Sequence, residues 1–227
     1  MFERSNHDRQ DVSGAIDYPG EHLTTQQDNF GTITAYANHI AEVVTHTQVT
    51  QNARRPNCSL QESLDEMLSI FRACHKKGNK IILVGNGGSS AIASHVAIDF
   101  CKNGGMRAVS FNDFPSLTCL SNDFGYENVF SKQIEYHAHP DDCLVCISTG
   151  GKSMNIRLAA SAFANLKGRY VFTFTGMKPD NALRSYGYLN FYSPSYDFGI
   201  VEIAHLTLLH SLVPCTGLRL GVNEHHD

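Results

Sequence analysis

The chain has 227 residues, 42% hydrophobic and 18% charged, with a net charge of −4 when histidine is neutral. That length and apolar content suffice for one sizeable core, and the acidic balance argues against a nucleic-acid surface, which needs a basic patch. No apolar run of about 18 residues is present to cross a membrane. The polar start "MFERSNHDRQDVSG" lacks the apolar stretch of a secretion signal, so a cytoplasmic location is expected.

Residues 1–29 are polar and without period, and read as a disordered extension. Residues 31–49, "GTITAYANHIAEVVTHTQV", space Tyr36, Ile40, Val43 and Val44 along one helical face. Pro56 breaks the pattern. Ser59 then reads as an N-cap with Glu62 three residues on, opening a helix that runs to about Lys77 and stops at Gly78.

From residue 80 short apolar runs alternate with helical segments. "KIILVG", "RAVSF", "CLVCIS", "YVFTFTG" and "YLNFYS" read as strands. "SSAIASHVAIDFCKN", "NVFSKQIEYHA", "SMNIRLAASAFANLKG" and "FGIVEIAHLTLLHSLV" read as helices. Alternating elements with fully apolar strands predict an α/β fold, a parallel sheet sandwiched between helices. Residues 30–218 form the expected single domain, and 219–227 a polar tail.

The seven cysteines are odd in number and lie mostly among apolar residues, as expected of buried thiols in a reducing compartment. Cys143 and Cys146 have CxxC spacing, but within a predicted strand and without a second pair. His137 and His139 lie in the polar "EYHAHPDD" and read as solvent-exposed.

Two strand-to-helix turns stand out, "VGNGGSSA" (84–91) and "ISTGGKSMN" (147–155). Ligands of open α/β sheets bind beyond the carboxyl ends of strands, where helix N-termini offer free N–H groups to phosphate. Gly87, Gly88 and Gly150 let the backbone approach a ligand, and Ser89, Ser148, Thr149 and Ser153 add hydroxyls. Neither turn is a Walker A or a GxGxxG motif, so a single phosphate held by neutral donors is the expected ligand.

Beyond the first turn, His95 and Asp99 stand at i and i+4 on one helix face. On the last helix Glu202 and His210 are two turns apart, with His205 between them. His205 reads as a buried core histidine. If the two helices converge, the others make a set that suits acid–base chemistry or, equally, a four-ligand zinc site.

Together "GNGGSSAIASHVAIDF", "LSNDFGYENVFSKQIE", "ISTGGKSMNI" and "VEIAHLTLLHSLV" resemble the sugar isomerase (SIS) domain, and within it the sedoheptulose 7-phosphate isomerase subfamily, over roughly residues 30–214. The resemblance implies a flavodoxin-like five-stranded parallel sheet preceded by N-terminal helices, and a homotetramer with sites at subunit interfaces. It implies an aldose–ketose isomerisation of sedoheptulose 7-phosphate to D-glycero-D-manno-heptose 7-phosphate through an enediol, without a nucleotide cofactor, as a step towards nucleotide-activated heptose. By position, Ser89, Ser148, Thr149 and Ser153 would hold the phosphate, and Asn86 and Asp123 the sugar. Asp99 would be the base and His210 its acid–base partner. Zn²⁺, bound in some members, would take His95, Asp99, Glu202 and His210.

Several positions depart from that pattern. Asp99 stands where the family has glutamate, so its carboxylate lies about 1.5 Å further back, and a shift of about 1 Å can cost on the order of 100-fold in rate. Glu202 replaces a glutamine, Gly150 a serine, and Asn103 an arginine, with Lys102 adjacent. These changes leave two alternatives: an isomerase of another sugar phosphate, and a non-catalytic module that binds a sugar phosphate or a partner protein such as a replication initiator.

Overall fold

The computed structural model describes residues 31–52 and 55–215, so the expected N-terminal extension and C-terminal tail lie outside the described residues. The elements run α1 (Ile33–Thr45), β1 (Gln48–Gln51), β2 (Arg55–Cys58), α2 (Leu60–Lys76), β3 (Ile81–Gly85), α3 (Gly88–Lys102) and β4 (Ala108–Ser110). They continue as α4 (Phe114–Phe124), α5 (Val129–His137), β5 (Cys143–Ile147), α6 (Met154–Asn165), β6 (Tyr170–Thr175), β7 (Leu189–Tyr192) and α7 (Phe198–Leu212).

Side chains on both faces of β3 and β5 are buried, which is why these strands are apolar throughout. Five strands pair in parallel in the order β4-β3-β5-β6-β7. Counted along the chain that is 2-1-3-4-5, the flavodoxin-like order. The sheet nevertheless has seven strands, because β1 adds to β7 antiparallel and β2 adds to β1. The sequence pattern alone carries residues 31–49 as a single helix. In the structure that helix ends at Thr45, and Gln48–Gln51 covers the edge of β7. The β-branched Thr47, Val49 and Thr50 favour a pleated surface over a helix, and Val49 is fully buried there. The short helix α4, which has Pro115 in its first turn and Asp113 as N-cap, was not evident from the apolar spacing.

Helices α2, α3 and α7 cover one face of the sheet, where Phe71 meets Phe100 and Phe172 edge-on at 5.6 and 5.3 Å. Helices α4, α5 and α6 cover the other, around Phe130, Ile134 and Phe163. Helix α1 packs on α7 through Val43, Ile200 and Ala204. At the amino ends of the strands the buried Asp142 accepts from the Lys80 and His139 backbone N–H groups and from Lys80 Nζ at 2.6 Å, so this interior charge is paired.

Cys143 faces the α2/α3 layer and Cys146 the α5/α6 layer, so the two cannot share a metal or a disulfide. Burial pushes the Cys146 thiol up, and the neighbouring Cys74 thiol together with burial does the same to Cys143. All seven cysteines are free; Cys119 and Cys215 are exposed, against the expectation of burial. His137 and His139 are exposed as expected.

Candidate active site

The chain leaves β3 for β4 on one side and leaves β5 for β6 on the other, so the strand order reverses between β3 and β5. Gly85 pairs with Ile147 at the carboxyl ends of these two strands. Both glycine turns therefore open side by side at the switch point, where such sheets bind ligands. Between them lies a cleft of about 260 Å³ lined by Asn86, Gly87, Gly88, Ser89, Ile147, Ser148, Thr149, Gly150, Ser153, Phe198 and Glu202.

Local geometry makes the cleft a place for an anion. Gly87 begins α3 with φ +54°, a left-handed conformation that glycine adopts without strain, and no side chain caps this helix. Ser153, the N-cap of α6, makes no side-chain cap bond either. Two helix N-termini thus present backbone N–H groups and positive dipole ends to one cleft. Ser89, Ser148 and Thr149 are buried around it, and Ser148 Oγ lies 3.4 Å from Ser153 Oγ.

One side of the cleft is negative. A Cβ placed on Gly88 would fall 2.5 Å from both carboxylate oxygens of Glu202, so that carboxylate lies directly over the first turn of α3. Asn86, also in the cleft lining, and the buried Asn155 form a reciprocal amide pair, both bonds 2.9 Å, and Tyr126 Oη donates to Asn86 Oδ1 at 3.0 Å.

Further along α3, Asp99 faces α7. Its Oδ2 lies 2.5 Å from His210 Nε2 and 3.2 Å from His95 Nε2, and the two rings stand 5.1 Å apart. Asn103 Nδ2 donates to Asp99 Oδ1 at 3.1 Å. The carboxylate is 13% exposed, whereas both imidazoles are about half exposed. The ligand atoms of His95, Asp99 and His210 all lie within 4.8 Å of one another.

Of the residues singled out in the sequence, Asn86, Gly87, Gly88, Ser89, Ser148, Thr149, Gly150, Ser153 and Glu202 meet in the cleft. His95, Asp99 and His210 meet further along α3, outside the cleft lining, and Glu202 is not part of that trio. Asp123 sits on the exposed end of α4, bonded to Asn122, and is not among the residues that line the cleft. Sequence reasoning missed Asn155, Tyr126 and Phe198. The one signal for Asn155 was an amide in the first turn of an otherwise apolar helix.

His205 is fully buried, with Nε2 3.1 Å from the Thr175 carbonyl and its ring edge-on to Phe174. Burial pulls its pKa down to about 4, only partly countered by the Thr175 carbonyl. The folded protein keeps this ring neutral, while the unfolded chain takes up a proton below about pH 6.5. Its contribution to stability is therefore intact above pH 6.5 and is lost as the pH falls towards 4, by up to about 1.4 kcal/mol per pH unit. Urea denaturation of His205→Gln at about pH 7.5 and about pH 5 should show a shallower acid loss than the parent; an unchanged difference would assign the acid sensitivity to another group.

The pattern of the SIS domain matches residues 35–176. The phosphoheptose isomerase of Citrifermentans bemidjiense is 32% identical over 157 residues, 66% of this chain and 81% of that protein. The phosphoheptose isomerase of Burkholderia pseudomallei strain 1710b is 34% identical over 184 residues, 78% of this chain and 90% of that protein. Among solved structures, phosphoheptose isomerase from Neisseria gonorrhoeae superposes with a TM-score of 0.65 at 28% identity, covering 81% of this chain and 98% of that one. Matched over most of its described residues and carrying the turns that build the cleft, the chain belongs to the SIS domain family.

Proposed function

We propose that the protein is an aldose–ketose isomerase of the phosphoheptose isomerase type, converting sedoheptulose 7-phosphate to D-glycero-D-manno-heptose 7-phosphate. The observation that carries this reading is a carboxylate held between two imidazoles, Asp99 with His95 and His210, on the same helix α3 whose N-terminus opens a cleft built for a phosphate. The relatives named phosphoheptose isomerase support it.

In this reading the N-termini of α3 and α6 and the hydroxyls of Ser89, Ser148, Thr149 and Ser153 hold the phosphate. Asp99 removes a proton from C1 of the ketose while His210 delivers one to O2, giving the 1,2-enediol. A proton then goes to C2 and the O1 proton leaves, which makes the C1 aldehyde. Asp99 and His210 are 2.5 Å apart and can exchange the proton that the two half-steps share.

The donor set of His95, Asp99 and His210 fits a divalent ion of borderline softness, two imidazoles and a carboxylate with room for a further ligand. A zinc ion there would take up the Asp99 and His210 atoms otherwise used for proton transfer and would supply Lewis-acid polarisation of the substrate oxygens instead. Glu202 belongs in this proposal to the substrate cleft, where its carboxylate can accept from sugar hydroxyls. The homotetramer is likewise part of the proposal: Ile98 and Ile203 stand 57% and 37% exposed on the two helices that carry the trio, a face that a second copy would close. So are the single domain over 30–218 and the cytoplasmic location, the compartment in which a charged sugar phosphate would be met.

The test is incubation of the purified protein with sedoheptulose 7-phosphate, following aldoheptose formation with a chelator and with added zinc. Turnover supports the isomerase. Tight binding without turnover would overturn it in favour of a binding module, and turnover of a different ketose phosphate would change the substrate. Zinc content measured by atomic absorption should fall to background in His95→Ala and His210→Ala if the trio holds the ion; retention would place the ion elsewhere.

A further inference from the structure

The amide network at the cleft fixes more than a position. The backbone N–H of Ile156 can only donate, and it lies 2.9 Å from a side-chain atom of Asn155. That atom is therefore the carbonyl oxygen Oδ1, and the orientation of the Asn155 amide is determined. The Asn86 atom 2.9 Å from the same Oδ1 must then be a donor, so it is Nδ2. Asn86 Oδ1 in turn faces Asn155 Nδ2 at 2.9 Å and Tyr126 Oη at 3.0 Å.

An asparagine carbonyl offers two lone pairs and its amide two hydrogens. Both lone pairs of Asn86 Oδ1 are engaged, and one of its Nδ2 hydrogens is used on Asn155. One hydrogen remains for a ligand in the cleft that Asn86 lines. We propose that Asn155 and Tyr126 are positioning residues that hold Asn86 as a pure hydrogen-bond donor, so that it addresses an acceptor oxygen of the ligand, a carbonyl, enediolate or phosphate oxygen, and cannot accept from a sugar hydroxyl. Glu202, also in the cleft lining, is the complementary group that can only accept when ionised. The two groups thus sort the oxygens of a polyol phosphate by polarity. Asn155 is 3% exposed and Tyr126 is 54% exposed, so the network has one anchored arm and one that a ligand can reach.

The activity arm of the test rests on the isomerase reading. Tyr126→Phe and Asn155→Asp are each made in the parent and in an Asn86→Ala background. Tyr126→Phe keeps the ring, and Asn155→Asp keeps the acceptor for Ile156 N–H while removing the donor to Asn86. Each should lower kcat/KM for sedoheptulose 7-phosphate by roughly fivefold in the parent, the effect of one hydrogen bond, and hardly at all once Asn86 is gone. Equal losses in both backgrounds would show that the two residues act by another route.

A second arm needs no turnover. The Asn86 side-chain amide signals, identified by their absence in Asn86→Ala, should be protected from solvent exchange in the parent and lose that protection in Asn155→Leu, which removes the acceptor of Asn86 Nδ2. Unprotected signals in the parent would overturn the proposal. A parent inactive on the sugar but with protected signals would sink the isomerase reading alone.

Discussion

Asp99→Asn should lower kcat on sedoheptulose 7-phosphate by a factor on the order of 10²–10⁴, the usual contribution of a positioned general base. The substitution keeps the volume and removes the charge. Asp99 Oδ2 is the one atom that faces both His95 and His210, at 3.2 and 2.5 Å, so its loss separates the two imidazoles from their shared acceptor. The phosphate cleft is built from the turns before α3 and α6, away from this atom. KM should therefore change much less than kcat, and the melting temperature should stay close to the parent's. Asp99→Glu restores the side-chain length typical of the family but pushes the carboxylate into the 2.5 Å contact with His210. It should retain part of the activity that Asp99→Asn loses. Steady-state kinetics of the two variants decide the matter: full turnover by Asp99→Asn would remove Asp99 from the chemistry.

The second large effect is expected at Gly85→Ala. A Cβ there would meet the Ser89 carbonyl oxygen at 2.5 Å and its carbon at 2.6 Å, backbone atoms that cannot swing aside. The first turn of α3 has to move away from the end of β3, and this turn carries Ser89 and half of the cleft. Overpacking of this kind costs about 1–3 kcal/mol. For a chain of this size that lowers the melting temperature by between about 2 and 12 °C, with weaker binding of inorganic phosphate alongside. At Gly150 a Cβ would meet nothing within 4 Å, so Gly150→Ala should leave the melting temperature in place. Differential scanning calorimetry of both variants distinguishes a close-packed turn from a merely glycine-rich one; equal melting temperatures would refute the argument.

The central strands β3 and β5 were readable because burial on both faces demands apolar residues at every position, and the edgeward β4, β6 and β7 were readable as short runs still dominated by apolar residues. The antiparallel pair β1–β2 was not. The side chains of β1 are chosen by what β7 presents at the sheet edge, which no local spacing records. In the site, helical spacing put His95 beside Asp99 and also placed Glu202 on the same side as His210. Eight residues of helix rise about 12 Å, so Glu202 reaches the cleft at the top of α3 while His210 reaches Asp99 lower down. The Asn86–Asn155 pair joins positions 69 apart in the chain through two turns that only the sheet brings together, and each residue alone reads as an ordinary loop or helix amide.

The edge strand β1 has a bearing on how the chain reaches this structure. It finds its partner in β7, and Asn190 Nδ2 reaches Thr50 O across 140 positions. Helix α1, just before it, docks on α7, the last described helix. Strand β1 can pair with β2 as soon as both are made, but its place on β7 and that of α1 on α7 open only once those later elements are made. Loop closure over such a separation is slow, and until it happens the β7 edge stands open to strands of other chains. Between synthesis of β7 and docking of residues 33–51 the protein therefore carries an open sheet edge on which it can aggregate.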